Sequence, residues 1–191
     1  MIKIAFIGSH GVGKTTLCYD LAAALKRLDF SVDLVKEVAR ACPLPINRQT
    51  TDLAQRWILH TQIAREIEHA AANEVIVCDR AVLDNYAYLV QAAGRQSDLD
   101  GLVRVWMKTY DLLVKVPVLA PPSYDGTRDT SVGFQLDIDR LIDRLLDEFA
   151  LSRLELPAGD RTVWIHRVLT RLELPRRPTQ LGLFGGPRPP G

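Results

Sequence analysis

The chain has 191 residues, 47% of them hydrophobic and 25% charged, which is enough for one full core without disulfide or metal staples. Its 24 basic and 23 acidic side chains leave a formal net charge of +1, which excludes a global electrostatic pull toward nucleic acid or membrane. Cys18, Cys42 and Cys78 lack C-x-x-C spacing, no apolar run approaches the ~20 residues of a membrane span, and a strand-like segment stands where a signal peptide would, so a soluble cytoplasmic protein is expected.

Residues 2–7 read as a buried strand and residues 14–28 as a helix. Between them, Gly8-Ser9-His10-Gly11-Val12-Gly13-Lys14-Thr15 fits G-x-x-x-x-G-K-[ST], a phosphate-binding loop in its proper strand–loop–helix setting. The glycines let the backbone turn sharply, so that its N–H groups and the helix N-terminus can face a polyphosphate. Lys14 is expected on the β- and γ-phosphates, Thr15 on Mg²⁺ and Thr16 near the α-phosphate. ATP and Mg²⁺ are therefore the expected cofactors. No guanine-reading N-K-x-D occurs, which favours adenine.

A second strand is expected over 31–35, followed by a stretch broken by Pro43 and Pro45. Thr50 or Thr51 can cap a long helix reaching about residue 73, with Leu53, Trp57, Ile63 and Ile67 near helical spacing. Residues 75–78 form a short apolar strand that ends at Asp79. Helices are expected over 82–93 and 98–109, the second capped by Ser97, and a fourth strand over 112–116. Residues 117–131 read as a loop, then a helix over 134–149, a short strand over 152–156 and a last helix over 160–172. This alternation signals a parallel α/β sheet. One domain is expected over 1–173, with a flexible Pro/Gly/Arg tail over 174–191.

Asp79 and Arg80 follow the third strand, at the sheet edge where ligands of doubly wound folds sit; Asp79 is a candidate for Mg²⁺ and Arg80 for the phosphates or the acceptor. Glu37 and Arg40 follow the second strand, where a carboxylate could orient or deprotonate an acceptor hydroxyl and a guanidinium could bind acceptor phosphate or stabilise the transferring group. Arg128, in the loop segment 124–129, could close over the phosphates and exclude water; Arg140 and Arg144 are weaker candidates. Arg161 could stack on the nucleotide base, or Asp160 could simply cap the last helix. Gln55, Gln62 and Arg65 could contact the acceptor. His60 and His69 lack metal-ligand spacing and read as packing or surface residues.

With Cys78-Asp79-Arg80, Asp84 and Ala87-Tyr88 in hand, residues 1–172 resemble the P-loop kinase group of thymidylate, deoxynucleoside and nicotinamide riboside kinases. The thymidylate kinase pattern D-R-x-x-x-S-x-x-A-Y has Ser where this chain has Asp84, and the Pro-Gly-Gly expected after Lys36-Glu37 is absent. Glu37-Val38-Ala39-Arg40 and Asp125-Gly126-x-Arg128 are more similar to ATPase domains related to nicotinamide riboside kinase. The resemblance implies a three-layer sandwich around a five-stranded parallel sheet in the order 2-3-1-4-5, and ATP-dependent phosphoryl transfer to a nucleoside, nucleotide or related hydroxyl acceptor. Two alternatives stand beside it: a regulatory nucleotide-hydrolysing switch that binds a protein partner, and a clamp-tethered kinase of a modified base in DNA. The last rests on Gln180-Leu181-Gly182-Leu183-Phe184, which resembles the Q-L-x-L-F peptide that docks bacterial replication proteins onto the sliding clamp. Alternatively, this apolar peptide folds back onto its own domain.

Overall fold

The computed structural model describes residues 1–46, 50–121 and 131–174. The segment 124–129 with Arg128, and the tail with Gln180 and Phe184, lie outside the described residues. Along the chain run β1 (Ile2–Ile7), α1 (Lys14–Arg27), β2 (Val32–Val35), a 3-10 turn (Val38–Ala41), α2 (Asp52–Ala72) and β3 (Val75–Asp79). There follow α3 (Val82–Ala93), α4 (Ser97–Met107), β4 (Leu112–Lys115), α5 (Val132–Glu148), β5 (Leu154–Glu155), a second 3-10 turn (Arg161–Val163) and α6 (Trp164–Leu172).

The five strands form one sheet in the order β2-β3-β1-β4-β5, and every pairing is parallel. Parallel neighbours cannot be joined by a tight turn, so each connection crosses a face of the sheet and both faces are covered. The strand period of two sorts the side chains. Ala5, Ile7, Ile76, Cys78 and Leu113 face a core made with Leu59, Tyr86, Met107, Ile138 and Leu145 from α2, α3, α4 and α5. Ile4, Phe6, Val75, Val77 and Val114 face the opposite core, made with Leu17, Leu21 and Leu25 of α1 and Trp164 and Val168 of α6. The result is the expected three-layer sandwich.

Register sets the site. Phe6 pairs with Asp79, Ile7 with Lys115 and Val35 with Cys78. The segments starting at Gly8, Lys36 and Arg80 therefore leave the sheet side by side, at its carboxyl edge.

Local chemistry explains where boundaries moved. Thr51 caps α2 by accepting from the Ala54 N–H at 3.2 Å, and Ser131 starts α5 two residues earlier than expected by accepting from Phe134 at 3.4 Å. Ser97 is not a cap. Gln96 holds that position and makes no side-chain cap bond; its amide instead donates back to the Ala93 and Gly94 carbonyls. Asp160 caps the second 3-10 turn, through Thr162 N at 2.9 Å, and α6 begins only at Trp164.

The stripe expected on α2 is also corrected. Leu53 and Ile67 are 65% and 56% exposed, while Gln55, Gln62 and Glu66 turn inward beside Ala54, Ile58 and Leu59. An apolar-period reading fails here because the helix buries polar side chains that already have partners inside. Among the described residues, no helix is long and apolar enough to cross a membrane.

Candidate nucleotide site

The loop between β1 and α1 adopts conformations that a side chain would oppose. Gly11 and Gly13 have φ of 78° and 93°, and Gly8 has φ of 139°. A Cβ on Gly8 would lie 2.9 Å from the Val116 carbonyl oxygen, so neither strain nor space admits another residue. Asp84, on the first turn of α3, anchors this corner. Its Oδ1 accepts from the Gly8 N–H at 2.8 Å and its Oδ2 from the Ala81 N–H at 3.0 Å. Burial pushes the Asp84 carboxyl up, against the pull of Lys14 and Arg80. On the other side, Gln135 of α5 donates to the His10 carbonyl at 2.9 Å, and the His10 Nδ1 lies 3.0 Å from the Tyr88 hydroxyl.

Lys14 is buried under the loop. Its ammonium donates to the Gly8 and Ser9 carbonyls at 2.8 and 2.5 Å. Burial, reinforced by the like charge of Arg80, lowers its pKa to about 8. Thr15 donates its hydroxyl proton to Asp79 Oδ2 at 2.5 Å. Arg80 follows, in a left-handed conformation with φ of 94°, and its Nε and Nη2 donate to Glu37 Oε1 at 3.0 and 2.7 Å. Its Nη1 is buried and has no hydrogen-bond partner among the described residues. The Arg80 guanidinium first, with Lys14 and Arg40 behind it, holds the Glu37 carboxyl down at about 2 against the opposing effect of burial. Arg40 reaches the other oxygen of Glu37 at 3.1 Å, with nearly half of its side chain in solvent.

These groups enclose a polar cavity of about 240 Å³ between the loop, Thr15, Thr16, Glu37, Asp79 and Arg80. A polyphosphate fits it chemically. Lys14 donates to carbonyl dipoles, with Asp79, Asp84 and Glu37 nearby, and Arg80, whose guanidinium lies over the Tyr88 ring at 4.8 Å, holds a buried charged donor that an anion would satisfy. Mg²⁺ fits as well. It takes hard oxygens and keeps several waters, so one hydroxyl and one carboxylate beside a phosphate suffice. The described residues contain no group of three His, Cys, Asp or Glu side chains able to hold a metal.

The remaining candidates fall differently. Gln62 lies under the site rather than in it, donating to the Arg80 carbonyl at 3.2 Å and to Glu66 at 2.9 Å. Arg65 pairs with Glu68 on the exposed face of α2, Gln55 donates to Thr50, and Arg140 pairs with Asp137 in solvent; Arg144 is also exposed. Arg161 lies over the Trp164 ring at 5.2 Å, and its Nη1 is 3.5 Å from where a Cβ on Gly13 would stand, so it flanks the loop.

Sequence reading missed Asp84 as an anchor, and also the support beneath Arg80. Glu66 is fully buried and accepts four bonds, from Lys3 at 2.9 Å, Trp106 at 2.8 Å, Tyr110 at 2.5 Å and Gln62 at 2.9 Å. The available signals were Lys3 inside an otherwise apolar strand, and Gln62 and Glu66 four residues apart on one helix face.

A family model described as an AAA domain matches residues 3–162, from β1 through the start of the last 3-10 turn. The chain belongs to the AAA domain family. The match takes in every element that lines the cavity. No curated protein matches this chain. Among solved structures, it is similar to the crystal structure of thymidylate kinase from Ehrlichia chaffeensis, with a TM-score of 0.61 and 17% sequence identity. That alignment covers 90% of this chain and 97% of the kinase chain. At such identity the likeness bears on the fold.

Proposed function

We propose that this chain transfers the γ-phosphoryl group of Mg²⁺-ATP to a hydroxyl acceptor, of nucleoside, nucleotide or related chemistry. The observation that carries the reading is the convergence of two buried cations, Lys14 and Arg80, on a cavity whose rim also holds the Thr15–Asp79 oxygen pair and the ionised Glu37. Mg²⁺, when bound, would supply positive charge against the charge that develops on the phosphate. Lys14 would leave the loop carbonyls for the β- and γ-oxygens, and Arg80 Nη1 would donate to the transferring group. Thr15 and Asp79 would hold the metal. Arg161 would add charge beside Gly13, and Arg128 is proposed, on its sequence alone, to add charge to the phosphates.

In the transfer, the acceptor oxygen forms a bond to the γ-phosphorus as the bond from that phosphorus to the β–γ bridging oxygen breaks, and the electron pair stays on ADP. The acceptor proton leaves for water or a phosphate oxygen. Glu37, held at about 2 by Arg80, is too weak a base to take it early; its part is to orient the hydroxyl as a fixed hydrogen-bond acceptor. A loose transition state requires positioning and charge stabilisation more than deprotonation. The test is acceptor-dependent ADP release across nucleosides, nucleotides and hydroxymethylated DNA. A panel that leaves basal hydrolysis unchanged overturns the kinase reading. The peptide at 180–184 is proposed, on its sequence, to dock on a sliding clamp. Phe184→Ala should abolish that binding while sparing catalysis on free acceptor.

A further inference from the structure

A second cavity, of about 390 Å³, opens beside the phosphate cavity, between the first two turns of α1 and the segment running from β2 into the 3-10 turn. The two cavities share Thr15, Glu37 and Asp79, so they meet at the edge expected to hold the metal and the γ-phosphate. The walls differ in kind. Away from the shared edge the second cavity is lined mainly by Cys18, Tyr19, Leu34, Val35 and Ala41, whereas the phosphate cavity is lined by backbone amides and charged groups.

We infer that this compartment receives the acceptor, and that the acceptor is an uncharged alcohol with a flat, apolar body, rather than a phosphorylated one. The inference rests on the phosphoryl-transfer reading given above. Position supports it first: a molecule in this cavity faces Thr15 and Asp79, the γ-end of the polyphosphate, and not Thr16 and Arg161 at the other end. Its size agrees, near the lower end of the ~300–1,000 Å³ typical of small-molecule pockets, which suits one ring system with its substituents. Electrostatics decides the charge. A phosphomonoester entering here would shed water against apolar walls and approach two carboxylates, Glu37 and Asp79. Of the cations on the rim, Arg40 is engaged with Glu37, and Lys36 is exposed, where water already solvates its charge. A neutral alcohol meets none of these penalties. Its ring packs on Tyr19, Leu34 and Val35, and its hydroxyl donates to Glu37.

Equilibrium binding to the full chain, in the presence of ADP and Mg²⁺, tests this with uridine and 2-phenylethanol against uridine 5′-monophosphate and 2-phenylethyl phosphate. Each alcohol should bind at least tenfold more tightly than its phosphate. Ala41→Phe, a substitution at an exposed position that fills the cavity, should weaken alcohol binding at least tenfold. Tyr19→Ala, which removes one wall, should do the same should Ala41→Phe lower the thermal midpoint. Phosphates that bind as well as the alcohols, or alcohol affinity unmoved by both substitutions, overturns the inference. ADP binding is titrated on the same sample. Its absence would sink the phosphoryl-transfer reading itself, whereas ADP binding with neither alcohol bound sinks only the assignment of this cavity.

Discussion

Lys14 and Glu37 have ionisation constants moved in ways that make the site's chemistry measurable. Lys14 is lowered to about 8 because it is buried and lies near Arg80. A bound polyphosphate would favour the charged ammonium and raise that value, so binding at pH 8.5 should draw a proton from solution. Calorimetry in two buffers of different ionisation enthalpy should show net proton uptake, with affinity falling as pH rises through about 8. Equal heats in the two buffers would remove Lys14 from the phosphate contact. Lys14→Ala should cost a hundredfold or more in triphosphate affinity, by loss of a buried charge-assisted contact. Glu37 behaves oppositely. Its folded value, about 2, lies below the ordinary 4.5, so its pairing with Arg80 contributes stability above pH 4.5 that is lost as pH falls toward 2. Glu37→Gln should flatten the acid limb of the stability curve in that window while retaining nucleotide and slowing transfer. An unchanged acid-unfolding profile would mean that Arg80 does not depend on Glu37.

At the scale of elements, α2 carries the least expected design. Its Gln62 and Glu66 face inward and tie β1, through Lys3, to the β3–α3 corner that presents Arg80. Lys3 and Glu66 are both essentially excluded from water, so removing one leaves the other charged and unpaired. Glu66→Ala should destabilise the fold by about 3–5 kcal/mol, the usual cost of breaking a buried pair, read as a lower urea midpoint. A loss below about 1 kcal/mol, the range of a surface pair, would show that Lys3 finds water or another acceptor. Gln62→Leu should leave more stability and mainly disturb Arg80, whose left-handed backbone it supports. The strands, the turn between β1 and α1, the Thr51 cap and the places of Glu37, Asp79 and Arg80 at strand ends were legible because each obeys a local rule of period, turn or spacing. Asp84, Gln135 and Glu66 were not. Polar side chains on helices read as solvent-facing, and their partners are far along the chain: Gly8 is 76 residues from Asp84, and His10 is 125 from Gln135. Ser97 misled for the converse reason, since a good capping residue lost its place to Gln96, which the Tyr86 hydroxyl holds through its backbone N–H.

Across the whole molecule, the parallel sheet gathers three segments distant in sequence onto one edge, and ligand binding should therefore be felt by the global fold. Gly8 hangs from β1, Glu37 from β2 and Asp79 ends β3, and α1 and α3 pack on opposite faces behind them. A ligand that bridges these segments binds the native state and not the unfolded chain, so it raises stability by mass action, by about 2.7 kcal/mol at a hundredfold excess over its dissociation constant. ATP with Mg²⁺ should raise the thermal midpoint by several degrees; at this chain length, 1 kcal/mol corresponds to ~2–4 °C. Chelating the metal should reverse most of the gain, because Thr15 and Asp79 then face each other and the phosphates without a cation between them. Asp79→Asn should abolish the metal-dependent part of the shift and leave the part carried by Lys14 and the loop amides. An ATP-induced shift that is the same with and without Mg²⁺ would separate the Thr15–Asp79 pair from metal binding, and would leave its short contact as a purely structural tie between α1 and β3.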